Sequence, residues 1–567
     1  MSAEPQRPPV KVVICWHMHQ PSYLDPHTEE YVLPWTYLHA IKDYVDMVAH
    51  LEAQPAARAV VNFSPTLIEQ LEDYARQTAA RLRDGSVVKD PLLRALAEPA
   101  LPVDGAERQK LVQQCLRANE KHLIKPFPAF ARLVELGRWL QRNPAQGRYL
   151  SDAFLSDLLV WYHLAWLGES VRRKDRRARE LIQKGYGFSA HDRRALLVLI
   201  SELLAGVLDR YRRLAEEGRV ELSVTPYAHP ILPLLQDLRS AREGWPESTL
   251  PEHEHYPGGD ERARWHVEQG LRVFERVFGF RPVGCWPAEG GVSAPTVKLL
   301  EEYGFTWAAS GGSVLDHSLH AAGRARDPDP GWHRPVVLGD GAMRCFFRDD
   351  GLSDLIGFTY ATWHGDDAVA NLVGHLETIA RECEDPEQAV IPIILDGENA
   401  WEHYPHNGYH FLNALYRRLG EHPALTLTTF QEAAGVEPRR LETLVGGSWV
   451  YGNFSTWIGE TDKNRAWDML VDAKQAYDRT IDSLDPAAQA RAEQQLAICE
   501  SSDWFWWFGD YNPAETVNDF DHLYRLQLTT LYERLGLEPP EELSQPFAHG
   551  SGDPAAGGVM RQGRAGS

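Results

Sequence analysis

Six short runs rich in β-branched and apolar residues are each followed at once by polar and aromatic residues, and long helical stretches separate them. The runs are 10–16 (VKVVICW), 59–63 (AVVNF), 220–225 (VELSVT), 282–286 (PVGCW), 305–310 (FTWAAS) and 389–395 (AVIPIIL). Near-continuous apolar strands alternating with helices are the pattern of a parallel sheet with both faces covered, hence an α/β fold. A seventh candidate strand lies at 425–430 (LTLTTF). The stretch 335–348 (PVVLGDGAMRCFFR) reads as a hairpin that turns at Gly339-Asp340-Gly341 and stands outside the main sheet.

Long stretches such as 104–140, interrupted at Pro126 and Pro128, and 190–217 carry apolar residues every three or four positions, as core-facing helices do. After about residue 434 the character changes: Gly446-Gly447 marks a break, and 461–535 reads mainly as helices, one of them opening at Asp485-Pro486. The expected organisation is an extension at 1–9, an α/β domain at 10–433, a helical region at 434–543 and a disordered tail at 544–567. That tail is rich in Gly, Ala and Pro and poor in apolar residues.

The chain has 567 residues and a formal net charge of -22, which argues against nucleic acid or an anionic membrane as partner and fits an uncharged substrate. No apolar leader opens the sequence and no run approaches a membrane span, so a cytoplasmic location is expected. Six cysteines are scattered without CxxC pairs or Cys/His ligand spacing, so free thiols are expected. The oligomeric state is not legible.

The chemistry-bearing residues collect just after the strands, at the edge where strand ends hold side chains rigidly. The first cluster, Trp16-His17-Met18-His19-Gln20-Pro21, sends two histidines to one side of a strand. They read either as hydroxyl binders together with Gln20 or as metal ligands joined by a distant carboxylate. The second, Trp286-Pro287-Ala288-Glu289-Gly290-Gly291, sets one carboxylate beside an indole, either as a reactive group or as an acid at the start of the next helix near Ser293. The third, Asp396-Gly397-Glu398-Asn399-Ala400-Trp401-Glu402, crowds three acids at one strand end, where repulsion is expected to raise a pKa. Two carboxylates on separate strand ends, flanked by Trp286 and Trp401, are the minimum equipment for cleaving a glycosidic bond.

In their order, HMHQP, CWPAE, LDGENAWE and SSDWFWWFG make the chain resemble glycoside hydrolase family 57 over roughly residues 10–535, most of all its amylopullulanase and α-amylase branch. Ala288 departs from that pattern, where proline or serine is expected. The resemblance implies an incomplete (β/α)7 TIM-like barrel followed by a helical domain, no cofactor and no required metal. It also implies a retaining cleavage of α-glucans with Glu289 as nucleophile and Asp396 as acid/base. His17, His19, Gln20, His229, Trp286, Trp401, Asp503, Trp504 and Trp506 are carried over as substrate-binding residues. Three rivals stand beside this reading. They are a glucan transferase using the same intermediate, a noncatalytic glucan-binding protein, and a zinc-dependent mannosidase-like or deacetylase-like enzyme using His17 and His19.

Overall fold

A computed structural model describes residues 7–324, 333–552 and 560–563. Ten strands form one sheet: β1 (Val10–Met18), β2 (Ala59–Phe63), β3 (Val220–Val224), β4 (Gly284–Cys285), β5 (Trp307–Ser310), β6 (Val336–Leu338), β7 (Arg344–Phe347), β8 (Val390–Asp396), β9 (Leu425–Thr428) and β10 (Arg439–Leu441). Seven of them run parallel in the order β7-β5-β4-β3-β2-β1-β8 and curl into the incomplete (β/α)7 barrel that the sequence implies. Contact across the remaining gap is made by side chains and single bonds. Asp349 N–H donates to Pro392 O at 2.8 Å, and Arg348 reaches Ile394 O at 3.3 Å. Pro392 lacks the N–H that a regular ladder would need on this side, as expected of a strand at an edge.

Two strand assignments are corrected. The hairpin at 335–348 is real, with β6 antiparallel to β7 and Gly339 at φ +54°, but it is no excursion: β7 pairs in parallel with β5 and is the seventh barrel strand. The run at 425–430 supplies β9, which pairs only with Val10–Val13 of β1, while β2 takes Cys15–Met18 and β8 takes Lys11–His17. Alternating apolar and polar residues suit a strand wherever it sits, so composition alone does not say which run enters the ring.

Helices pack outside the barrel. The stretch at 104–140 divides into Gly105–Cys115, a turn at Glu120–Ile124 and Pro128–Arg142, with Asp104 capping the first. Ala190–Glu216 is one continuous helix, closed at its start by a reciprocal Ser189–Asp192 capping box. Pro486–Cys499 opens on Asp485, whose carboxylate accepts from two backbone N–H groups. The six cysteines are buried and none is in a disulfide. Among the described residues no helix is long and apolar enough to cross a membrane.

Of the expected disordered tail, 553–559 and 564–567 lie outside the described residues; in 544–552 and 560–563, Phe547, Ala548, Arg561 and Gly563 pack onto the protein while 544–546, 549, 551 and 562 are exposed. Phe547 stacks edge-on against Phe508, Ala548 is fully buried, and Asp521 accepts from the N–H groups of both. Glycine and alanine lower the apolar count without preventing a segment from lying flat in a groove.

Candidate active site

Register places the first residues of the site. His17 on β1 stands opposite Asn62 on β2 and opposite Asp396 on β8, so three adjacent strands end at one level. From there a chain of hydrogen bonds fixes the tautomers. Asn62 Oδ1 is an acceptor, so His17 Nδ1 donates to it at 2.7 Å. Burial holds the His17 pKa down at about 3, which leaves Nε2 bare, and His229 Nε2 donates to it at 3.0 Å. His229, also pushed well below the usual range by burial and its histidine neighbours, then accepts from Ser502 at its Nδ1, 2.8 Å away. Ser502 has one hydrogen and a second acceptor, Glu289 Oε1, at 3.5 Å; the shorter bond takes the hydrogen. His19 lies flat on His229, ring centroids 3.7 Å apart, between Ser64 Oγ at 2.7 Å and Asp503 Oδ1 at 2.8 Å.

Glu289 follows β4 in a left-handed backbone conformation, φ +59°, which is uncommon for a residue with a side chain and is found at sites where surrounding structure over-determines it. It is no helix cap: the next helix, Ala294–Glu302, starts five residues later and is capped by Ser293. Its Oε2 accepts from Trp449 Nε1 at 3.0 Å, and its carbonyl accepts the Trp449 N–H at 3.0 Å. Gly447 lets that loop come so close, pairing with Val292, because a Cβ there would meet Gly452 O at 2.2 Å. Burial first, then the charges of Asp396 and Asp503, push the Glu289 pKa well above the carboxylate range, against the Trp449 hydrogen bond. Asp396 ends β8 and accepts from Asn399 Nδ2 at 2.9 Å. Burial raises it to about 6, opposed by Asn399 and by the fields of His19 and Arg348. The charge of Asp396 reaches Glu289 and disfavours its ionised form. Crowding at the Asp-Gly-Glu end is a smaller cause than expected: Glu398 is raised first by burial, and only then by Asp396 and Asp43.

The structure brings Glu289, Asp396, His17, His19, His229 and Asp503 together, and several of the other residues expected to bind sugar are buried. Trp401 is 1% exposed; its N–H goes to Gly397 O at 2.9 Å and its ring packs on Trp16, Tyr404 and Phe411. Trp504 is fully buried and donates to Ile498 O. Trp286 is fully buried beneath Trp449, ring centroids 5.2 Å apart, and makes the floor of the site. Gln20 accepts from Tyr23 and donates to Glu398, and His17 is enclosed, acting through His229. His19 is partly exposed beside Asp503, and the Trp506 ring lies under Arg561.

Sequence reasoning missed Trp449, Ser502, Asn62, Ser64, Asn399 and Arg348. Ser502 stood inside SSDWFWWFG, and Asn62 and Ser64 in NFSP after β2, so their signal was position at a strand end or beside an acid. Trp449 had only the Gly446-Gly447 break two residues before it.

Could the cluster hold a metal? Among the described residues His19, His229 and Asp503 bring one donor atom each to within 4.8 Å of one another. The His19 and His229 rings are parallel and stacked, interplanar angle 11°, so their in-plane lone pairs do not converge, and every ring nitrogen already has a protein partner. The donor set does not fit a structural or catalytic zinc ion.

Trp449→Phe keeps the ring and removes the N–H. We expect kcat/KM to fall about 10–100-fold, the worth of a hydrogen bond to a charged group. Losing a bond that favours the ionised form raises the Glu289 pKa further, so the limb of the pH profile that reports Glu289 moves to higher pH. A profile unchanged in position would remove the indole from the machinery.

Comparison with known proteins places the chain in a family. The sequence profile of Glycosyl hydrolase family 57 matches residues 13–444. The chain belongs to glycosyl hydrolase family 57. No curated protein sequence matches it. Similar solved structures include a family 57 branching enzyme from Thermococcus kodakaraensis, 14% identical, TM-score 0.56, covering 93% of this chain and 90% of that one. A branching enzyme from Pyrococcus horikoshii is 15% identical, TM-score 0.55, covering 94% and 98%. The α-amylase AmyC from Thermotoga maritima is 14% identical, TM-score 0.55, covering 94% and 95%. At such identities the likeness speaks for the fold of this family 57 chain.

Proposed function

We propose that this family 57 protein is a retaining glycosidase acting on α-glucans. Asp396 protonates the glycosidic oxygen while Glu289 attacks the anomeric carbon; water then resolves the glycosyl-enzyme, with Asp396 as base. The observation that carries the reading is the pair itself: two carboxyls that follow β4 and end β8, the charge of Asp396 raising the pKa of Glu289, with the Trp449 N–H bonded to Glu289. His19 and Asp503, coupled at 2.8 Å, supply donors and acceptors for sugar hydroxyls. Family membership and the amylase and branching enzymes among the similar structures favour an α-glucan over other glycosides. The resemblance of CWPAE and DGENAWE to the amylopullulanase branch favours hydrolysis.

Transfer to a sugar hydroxyl would use the same residues, and the two branching enzymes of similar fold keep that reading open. Incubation with maltoheptaose and with pullulan, in EDTA, separates the possibilities. Shorter products with new reducing ends are expected; longer or branched products without new reducing ends would make it a transferase. Loss of activity in EDTA would sink the metal-free mechanism.

A further inference from the structure

The residues 560–563 lie across groups that the mechanism does not use. The Arg561 guanidinium sits over the Trp506 ring at 4.8 Å and over the Tyr511 ring at 4.5 Å, and its Nη1 donates to Thr456 Oγ1 at 3.3 Å. Another nitrogen of the same group, Nη2, is buried without a hydrogen-bond partner. Gly563 is buried as well. Its N–H donates to Asp354 Oδ2 at 3.0 Å, and its carbonyl accepts from the Tyr451 N–H at 3.0 Å and from Ser313 Oγ at 3.3 Å. Only glycine fits this seat, since a Cβ would stand 2.8 Å from Arg348 Nη2 and from Asp350 Cγ.

The seat adjoins the nucleophile. Arg348 pairs with Asp350 at 2.8 Å and with Asp354 at 2.6 Å, and it lies 5.3 Å from the centre of the Trp449 ring whose N–H holds Glu289. Tyr451 is two residues beyond Trp449, and Trp506 shares its helix, Ser502–Trp507, with Ser502 and Asp503. Beneath the segment, then, are two aromatic faces, a carboxylate, a hydroxyl and the Tyr451 N–H, which the segment itself engages. Flat rings pack against the C–H face of a pyranose, and the polar groups around them match its hydroxyls. Arg561 lies on the rings as a sugar would, and the Gly563 peptide takes up the polar groups.

We propose that Trp506, Tyr511, Thr456, Asp354 and the Tyr451 N–H form a further glucosyl subsite, which residues 560–563 fill, so that an α-glucan long enough to reach it must displace the chain's own segment. This rests on the α-glucan reading above. A self-filled subsite lowers apparent affinity by the fraction of time that it stands open.

The test uses the full chain carrying Glu289→Gln, so that glucan is bound and not consumed, and measures maltoheptaose affinity by calorimetry. Three further changes are compared on that background: Arg561→Ala, Gly563→Val, and a chain ended at Gly552. Each is expected to bind maltoheptaose about tenfold more tightly, as for a segment that occupies the subsite about nine-tenths of the time. Arg561→Ala leaves the Arg348–Asp350–Asp354 cluster untouched and keeps the test valid if the shortened chain folds poorly. Affinity that is unchanged or weaker in Arg561→Ala and Gly563→Val would overturn the self-filled subsite while leaving the substrate class standing. Absence of maltoheptaose binding in every form would overturn both.

Discussion

Glu289→Gln is expected to lower maltoheptaose turnover by roughly 10⁴-fold or more, because the covalent route has no other nucleophile at the anomeric carbon. Initial rates by reducing-end yield read this directly, and a loss of only a few-fold would remove Glu289 from that role. The same variant is expected to gain stability, with a definite pH dependence. Burial and the charges of Asp396 and Asp503 hold the folded-state pKa of Glu289 well above the usual carboxylate range, so the native protein binds this proton more tightly than the unfolded chain does. Stability contributed by the group is therefore full below about pH 4.5 and is lost as pH rises towards the folded pKa. Glutamine carries no such linkage, while Glu398 titrates alike in both proteins. The melting temperature of Glu289→Gln is expected to match wild type near pH 4.5 and to exceed it at pH 8. A gap that shrinks with rising pH would contradict the buried, proton-holding nucleophile.

The parts of this fold that sequence exposes are those whose physics is local. An apolar run such as AVVNF buried on both faces reads as a parallel strand, and it forms one at Ala59–Phe63. Asp485-Pro486 and Ser293 act as caps where local rules place them. Which run joins the ring depends on long-range pairing. Hence β7 hides in a hairpin, and β9, equally strand-like, ends beside the start of β1. The site divides along the same line. Glu289, Asp396 and His19 stand at strand ends next to apolar runs, and their position alone marks them. Trp401 and Trp504 share those motifs yet turn inward, because a tryptophan beside an acid satisfies the core as readily as a sugar. Trp449 and Ser502 reach Glu289 from residues more than 150 positions downstream, and nothing local in GGSWVYG or SSDWF announces that contact.

Asp396→Ala should behave differently from the nucleophile variant, and the difference separates the two roles. With maltoheptaose the leaving oxygen needs a proton, so turnover is expected to fall about 10²–10⁴-fold, the usual contribution of a general acid. With α-glucosyl fluoride the leaving group departs as fluoride and needs little help, so the first step is expected to survive while the second, which needs Asp396 as base, becomes slow. The glycosyl-enzyme then accumulates, and mass spectrometry of the quenched protein should find one added glucosyl unit on the peptide containing Glu289. Added azide attacks that ester without base assistance, and the product keeps the α configuration because two inversions have occurred. A β-azide would mean that azide attacked the substrate itself, as it would if Asp396 were the nucleophile. Burial raises the Asp396 pKa to about 6, against Asn399 and the fields of His19 and Arg348, and so keeps more of its acid form close to neutral pH. An aspartate in water, ionised near pH 4, would have none to give at neutral pH.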